Sequence, residues 1–236
     1  MTTKIAVIKF PGSNCDLDTL HVLDDVINVD AELVWHNDFQ GGNFDGAVLP
    51  GGFSFGDYLR SGIIAAHSPA IAQIKQMLKD DKPIIGICNG FQILTEAQLL
   101  PGALLKNDSL KFICKWVNIR VENNQTAFTN RMDKGSVLDI PIAHGEGRYF
   151  TDKLDELKEN NQIVFSYVDE DGNATEDANP NGSLENIAGV CNLEQTCLGL
   201  MPHPERASEG VLSPTETTHG QLFFNSMVNF INGGSS

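Results

Sequence analysis

The stretch that decides the fold is Pro83-Ile84-Ile85-Gly86-Ile87-Cys88-Asn89-Gly90-Phe91-Gln92, followed by ILTEAQLL to Leu100. Its first half is a short apolar run without alternation, as expected of a central strand covered by helices on both faces. Its second half has helical composition and begins with no intervening loop. A strand that turns at once into a helix, with glycines two before and two after the residue at the corner, is a nucleophile-elbow arrangement. Gly86 and Gly90 let the crowded backbone close while the Cys88 side chain points out. A thiol at a helix N-terminus feels the partial positive charge of unpaired amides, which favours the nucleophilic thiolate. The bland alternative is that Cys88 is a small buried hydrophobe, the default for the other four cysteines.

Working outward, the same alternation recurs. Lys4 to Phe10 is a β-branched run closed by the turn signal PGSN, and Ser13 is placed to cap a helix running to about Asn28. AELVWH at 31–36 and DGAVL from Asp45 read as strands, and SPAIAQIKQMLK from Ser68 reads as a helix. The expected fold is therefore α/β, an open, mostly parallel sheet flanked by helices, with ligands at the carboxyl ends of the strands. After residue 101, KWVNIRVE and SVLDIPIAH read as strands of an antiparallel extension or ribbon. The polar run from Asp169 to Asn186 reads as a hairpin tip or surface loop. Leu222, Phe223, Met227, Phe230 and Ile231 recur at helical spacing near the end, followed by a flexible Gly233-Gly234-Ser235-Ser236.

Composition narrows the function. The 236 residues carry 16 Lys plus Arg against 31 Asp plus Glu, a formal net charge of -15, which disfavours nucleic acid and anionic lipid as partners. No uncharged apolar run approaches the roughly 18 residues of a membrane span, and MTTKIAVIKF lacks the features of a signal peptide. The five cysteines are odd in number and scattered, without a C-x-x-C pair, so neither a disulfide framework nor a structural zinc site is expected. The reading is one domain over residues 1–236 in a reducing cytoplasm, with no metal.

A cysteine nucleophile needs a base and an orienting group. In Gly199-Leu200-Met201-Pro202-His203-Pro204-Glu205-Arg206, a short apolar run ends in two prolines around an H-x-E pair. In extended backbone, His203 and Glu205 project to one face, so Glu205 can hold one imidazole nitrogen while the other faces Cys88. A second H-x-E lies in Ala143-His144-Gly145-Glu146-Gly147, whose glycines suit a loop that offers backbone groups to a ligand. His203 therefore ranks above His144 as the base. In Leu49-Pro50-Gly51-Gly52-Phe53, paired glycines follow a strand and can present an oxyanion donor. A phosphate cradle is the rival there, but G-K-[ST] and G-x-G-x-x-G are both missing.

With Cys88, His203 and Glu205 in view, the sequence resembles the class I (triad) glutamine amidotransferases, which use G-x-C-x-G and a late H-x-E. FPGSNCD, GGFSFGDYLRSG, GICNGFQ, VENNQTAFTN, PIAHGEGRY, NPNGSLENIAGV and GLMPHPERA are similar, block by block, to the glutaminase subunits of phosphoribosylformylglycinamidine synthases. The resemblance implies a flavodoxin-like class I amidotransferase fold. It also implies a glutaminase in which Cys88 attacks the glutamine carboxamide, His203 shuttles protons and Glu205 orients it. On the same pattern Gly52 and Asn89 form the oxyanion hole, while Phe53, Gln92, His144, Gly145 and Glu146 belong to the glutamine pocket. It further implies a synthetase partner (PurL-type) and a small accessory subunit (PurS-type), with ATP and magnesium on the partner and no cofactor on this chain. One departure is Ala65-Ala66-His67-Ser68-Pro69, where the family carries Arg-Phe before Ser-Pro; it bears on docking. Two other readings remain: another cysteine hydrolase on the same elbow, of peptidase or glyoxalase type, and a binding module that kept the scaffold without the chemistry.

Overall fold

The computed structural model describes residues 2–234. In chain order the elements are β1 (Lys4–Lys9), α1 (Asp16–His21), β2 (Asp30–Trp35), β3 (Gly46–Leu49), α2 (Pro69–Lys79), β4 (Ile84–Ile87), α3 (Asn89–Glu96), β5 (Ala103–Leu105), β6 (Ile113–Val121), β7 (Val137–His144), β8 (Arg148–Phe150), α4 (Leu154–Glu159), β9 (Ile163–Val168), β10 (Ile187–Cys191), β11 (Cys197–Leu200) and α5 (Gln221–Ile231). Nine strands form one sheet in the order β2-β1-β3-β4-β11-β10-β9-β6-β7, while β5 and β8 pair separately.

The first five strands of that order are all parallel, and the last four pairings are antiparallel. The alternating β/α pattern and the late strands thus share one continuous sheet. β3 and β4 are buried at every position, as an apolar run without alternation demands. β7 instead alternates half-buried and buried along its whole length, consistent with one solvated face. The strand order reverses at β1, which has β2 on one side and β3 on the other, and such a switch point opens a crevice beyond the carboxyl ends of the strands. β1, β3, β4 and β11 all end there.

Ser68 caps α2 through a 3.3 Å bond from Ala70 N–H to its hydroxyl, with Pro69 at the first helical position. α5 packs Phe223, Phe224 and Met227 into the core, and Phe223 lies 5.1 Å from Phe165 between ring centroids. The polar run from Asp169 ends in a 3-10 turn over Leu184–Asn186. Residues 235 and 236 of the terminal Gly-Gly-Ser-Ser lie outside the described residues.

The first helix departs from expectation. Ser13 does not cap it: the Ser13 hydroxyl accepts from Phe10 N–H at 3.1 Å, and α1 starts at Asp16 behind Cys15. The reason is local competition, since a serine in a PGSN turn satisfies the turn's own amide before it can reach a helix. The helix then widens into a π turn over Val22–Val26 and ends by Ile27. Cys191 and Cys197 are buried as expected, whereas Cys114 is exposed.

Candidate active site

Cys88 occupies the corner between β4 and α3 with φ 51° and ψ -101°. That is a left-handed value which a non-glycine residue holds at a cost of about 1–3 kcal/mol, and such strain gathers at functional sites. Both flanking glycines are forced. A Cβ on Gly86 would stand 2.6 Å from the Gly90 carbonyl carbon, and one on Gly90 would collide with Leu49 O. Close packing of β3, β4 and α3 therefore requires the spacing read from the sequence. Cys88 is 5% exposed, and its sulfur lies 3.8 Å from Ala143 O at the end of β7.

β11 delivers His203 to the same corner. The His203 amide donates to Pro141 O at 2.8 Å, which ties the post-strand segment to β7. His203 Nδ1 is 2.6 Å from Glu205 Oε1, and both side chains are buried. Their meeting does not come from extended backbone, as the i, i+2 spacing predicts; Pro204 opens a 3-10 turn over residues 204–207 that folds Glu205 back beneath the ring. Burial works to lower the His203 pKa, yet the Glu205 carboxylate and then Cys88 hold it well above the usual histidine value. Nε2, the nitrogen left over, is buried and makes no hydrogen bond among the described residues. His203 and Cys88 line one cavity of about 240 Å³, together with Asn14, Cys15, Gly52 and Phe53.

The glycine loop after β3 completes the wall. Gly52 has φ 149° and pairs with Ser13, and a Cβ there would lie 2.7 Å from Gly12 O. The Phe53 amide donates to Gly12 O at 2.9 Å and the Ser54 amide to Asn89 Oδ1 at 3.1 Å. Those two amides are committed within the loop, so neither is open to a ligand. The Phe53 ring is 45% exposed at the cavity mouth, 6.4 Å from the Phe112 ring.

Gln92 is buried and links two elements. Its Nε2 donates to Glu146 O at 2.6 Å, while its Oε1 accepts from Asn89 Nδ2 at 2.9 Å. Glu146 Oε2 accepts from the Ser61 hydroxyl at 2.9 Å, and Gly145 O accepts from Asn107 N–H at 3.0 Å. His144 is held by Asn107 Oδ1 at 3.1 Å and Asn181 Nδ2 at 3.5 Å. Its burial, and then the charge of His203, lower its pKa to about 4, so it stays neutral. Both ring nitrogens are committed to amides, which leaves His203 Nε2 as the ring nitrogen without a partner between these two histidines.

Two neighbours of Cys88, His203 and Glu205 escaped the sequence reading. Cys15 is buried with its sulfur 3.9 Å from His203 Nδ1, and Arg206 Nη2 donates to that sulfur at 3.0 Å. Burial pushes the Cys15 thiol pKa up. The loop holding Cys15 is stitched to the glycine loop by the amides of Asn14 and Cys15, both donating to Gly51 O. The available signals were its place directly after the first strand and the adjacency of Arg206 to Glu205.

The protein family described as the CobB/CobQ-like glutamine amidotransferase domain matches residues 2–231. A Methanosarcina mazei protein named phosphoribosylformylglycinamidine synthase subunit PurQ is 56% identical over 97% of this chain and 98% of its own length. The chain belongs to the PurQ family of glutamine amidotransferases. An Aquifex aeolicus PurQ is 55% identical over 89% of this chain and 93% of its own. In the solved structure titled PurLQS from Thermotoga maritima, one chain superposes with a TM-score of 0.85 at 44% identity, covering 98% of this chain and all of that one. The PurQ fold, a mostly parallel sheet flanked by helices with an antiparallel extension, is the one found here.

Proposed function

We propose that this chain is the glutaminase subunit of a phosphoribosylformylglycinamidine synthase in purine biosynthesis. The observation that carries the proposal is a strained cysteine and a buried histidine-carboxylate pair lining one small cavity, in a chain of PurQ type over nearly its whole length.

Cys88 Sγ attacks the carboxamide carbon of glutamine as its proton passes to His203 Nε2. The amide N–H groups of Gly52 and Asn89 receive the negative charge that grows on the carboxamide oxygen. As the C–N bond breaks, His203 gives the proton to the leaving nitrogen, so ammonia and a γ-glutamyl thioester form. Water then attacks the thioester with His203 again taking the proton, which releases glutamate and the Cys88 thiol. Glu205 supports the imidazolium through Nδ1–H and fixes the ring's tautomer. Gln92 braces the wall, and the 144–146 segment with Phe53 meets the amino-acid end of the substrate.

Ammonia passes to a synthetase subunit of PurL type, with a PurS-type accessory subunit, which converts formylglycinamide ribonucleotide with ATP. ATP and magnesium belong to that partner, and the whole chain serves as one glutaminase unit in the cytoplasm. The Thermotoga maritima PurLQS structure and the PurQ relatives support this assembly. None of the described helices is long and apolar enough to cross a membrane. In the departing segment Ala65 and Ala66 are buried and His67 is exposed, so His67 is the position that can differ at a partner surface.

The test is glutamine-dependent product formation by the complex reconstituted with Cys88→Ala. Loss of the glutamine-dependent reaction, with ammonia-dependent synthesis retained, supports the reading. Product formation from glutamine at the unchanged rate overturns it.

A further inference from the structure

We propose that Cys15, His203 and Glu205 form a binding site for a borderline-soft divalent transition-metal ion, with zinc as the type, whose occupation takes His203 out of service. Cys15 Sγ, a ring nitrogen of His203 and a carboxylate oxygen of Glu205 all lie within 4.8 Å of one another. All three side chains are buried. Tetrahedral zinc, with bonds of about 2.3 Å to sulfur and about 2.0–2.1 Å to nitrogen, sets two such ligand atoms roughly 3.5 Å apart. The observed 3.9 Å between Cys15 Sγ and His203 Nδ1 is close to that edge.

A second observation points to a ligand. Glu205 uses Oε1 on His203, while Oε2 is buried without a hydrogen-bond partner. An anionic oxygen left bare in the interior is costly unless something cationic meets it. A metal ion supplies that partner. One thiolate and one carboxylate neutralise a divalent ion, and a neutral imidazole completes a mixed sulfur, nitrogen and oxygen set of the kind zinc takes.

The surroundings are built to match. Arg206 Nη2 donates to Cys15 Sγ at 3.0 Å, and Arg206 Nε faces Asp18 Oδ2 at 3.6 Å. A donor hydrogen bond to a ligating sulfur, oriented in turn by a carboxylate, is how outer groups fix a metal ligand. Access comes from the 240 Å³ cavity that Cys15, His203 and Arg206 line, which also leaves room for water as a fourth ligand. Binding sends the Cys15 thiol proton to solvent and displaces the proton from Nδ1, leaving His203 a neutral imidazole with its one proton on Nε2, and the metal takes the place of the Nδ1–H···Glu205 bond. Cys88 is no part of the set, so the metal stops catalysis by occupying the base rather than by capping the nucleophile.

The binding claim is independent of the glutaminase reading; the inhibition claim rests on it, and separate measurements address the two. Cobalt(II) is titrated into the full chain carrying Cys88→Ser and Cys114→Ser. We expect one equivalent to bind with a sulfur-to-cobalt charge-transfer band in the near ultraviolet, displaced by zinc. Adding Cys15→Ser removes the band and weakens zinc binding at least tenfold. Absence of the band in the parent, or its survival without Cys15, overturns the proposal. Should the Cys15→Ser chain fail to fold, the cadmium-113 resonance of the parent decides: a shift for one thiolate ligand supports the site, and a sulfur-free shift overturns it. In the wild-type chain with its synthetase partner, zinc at one equivalent inhibits glutamine hydrolysis and a chelator restores it. Full activity with zinc bound overturns the inhibitory role, whereas no hydrolysis even without zinc counts against the glutaminase reading and leaves the cobalt result standing.

Discussion

His203 Nδ1 lies 2.6 Å from Glu205 Oε1, and the two side chains are withdrawn from solvent beneath the corner where Cys88 sits. Breaking such a pair from one side strands the other group, which costs about 3–5 kcal/mol. The pair is therefore a structural device and, on the proposed function, a catalytic one.

Glu205→Gln keeps the shape and removes the charge. The kcat for glutamine hydrolysis is expected to fall about 10²- to 10⁴-fold, because the imidazolium loses its counter-charge. Since Glu205 raises the His203 pKa, the His203 limb of the pH–rate profile moves to lower pH in the variant. The stability sign follows from the same direction. A histidine raised in the folded state contributes stability that is full below its ordinary value of about 6.5 and is lost as pH rises through the folded value. Urea unfolding of wild type and variant should thus differ most at or below pH 6.5 and converge as pH climbs.

His144 carries the opposite sign. Its folded pKa of about 4 lies below the unfolded value, so protonation favours the unfolded chain as pH falls from about 6.5 to about 4. Across that window the depression corresponds to about 3 kcal/mol of lost stability. His144→Gln should flatten the slope of unfolding free energy against pH in that window; an unchanged slope contradicts the neutral, buried assignment.

Gly90→Ala drives a methyl into Leu49 O where α3 packs against β3. Overpacking of this kind costs roughly 1–3 kcal/mol, and here the strain falls on the elbow itself. Denaturant midpoints and labelling of Cys88 should both drop, whereas Gly42→Ala, where an added Cβ meets nothing within 4 Å, should change neither.

Gln92→Leu leaves Glu146 O and Asn89 Nδ2 without their partner. Losing about 1.4 kcal/mol of pocket order raises the KM for glutamine about tenfold, with a smaller change in kcat. Steady-state kinetics on the reconstituted complex separates the two parameters.

The elbow at Cys88, the candidate nucleophile, was legible in the sequence because its geometry is local. Gly86, Cys88 and Gly90 satisfy a steric demand that three nearby residues state by themselves, and the unbroken apolar run before them marks a central strand. His203 was legible through its partner and its late position, although the 3-10 turn that joins it to Glu205 was not, since Pro204 fits an extended segment and a first helical position equally well. The pairing of β11 with β4 and the joining of the ribbon to the main sheet were not legible, because register between strands more than a hundred residues apart leaves no mark in either strand alone. Cys15 was hidden for the same reason: its neighbours are His203 and Arg206, close to two hundred residues away. The Ser13 cap failed where two local hydrogen-bonding options competed and the turn won.

The central claim is that Cys88 is the nucleophile of a glutamine-binding site. The most direct measurement is peptide mapping by mass spectrometry after treating the chain, with its synthetase subunit present, with a glutamine-like chloroketone. Modification of Cys88 alone, suppressed by excess glutamine, is the predicted result. An unmodified Cys88, or labelling spread over Cys15, Cys114, Cys191 and Cys197 that glutamine does not suppress, would contradict it.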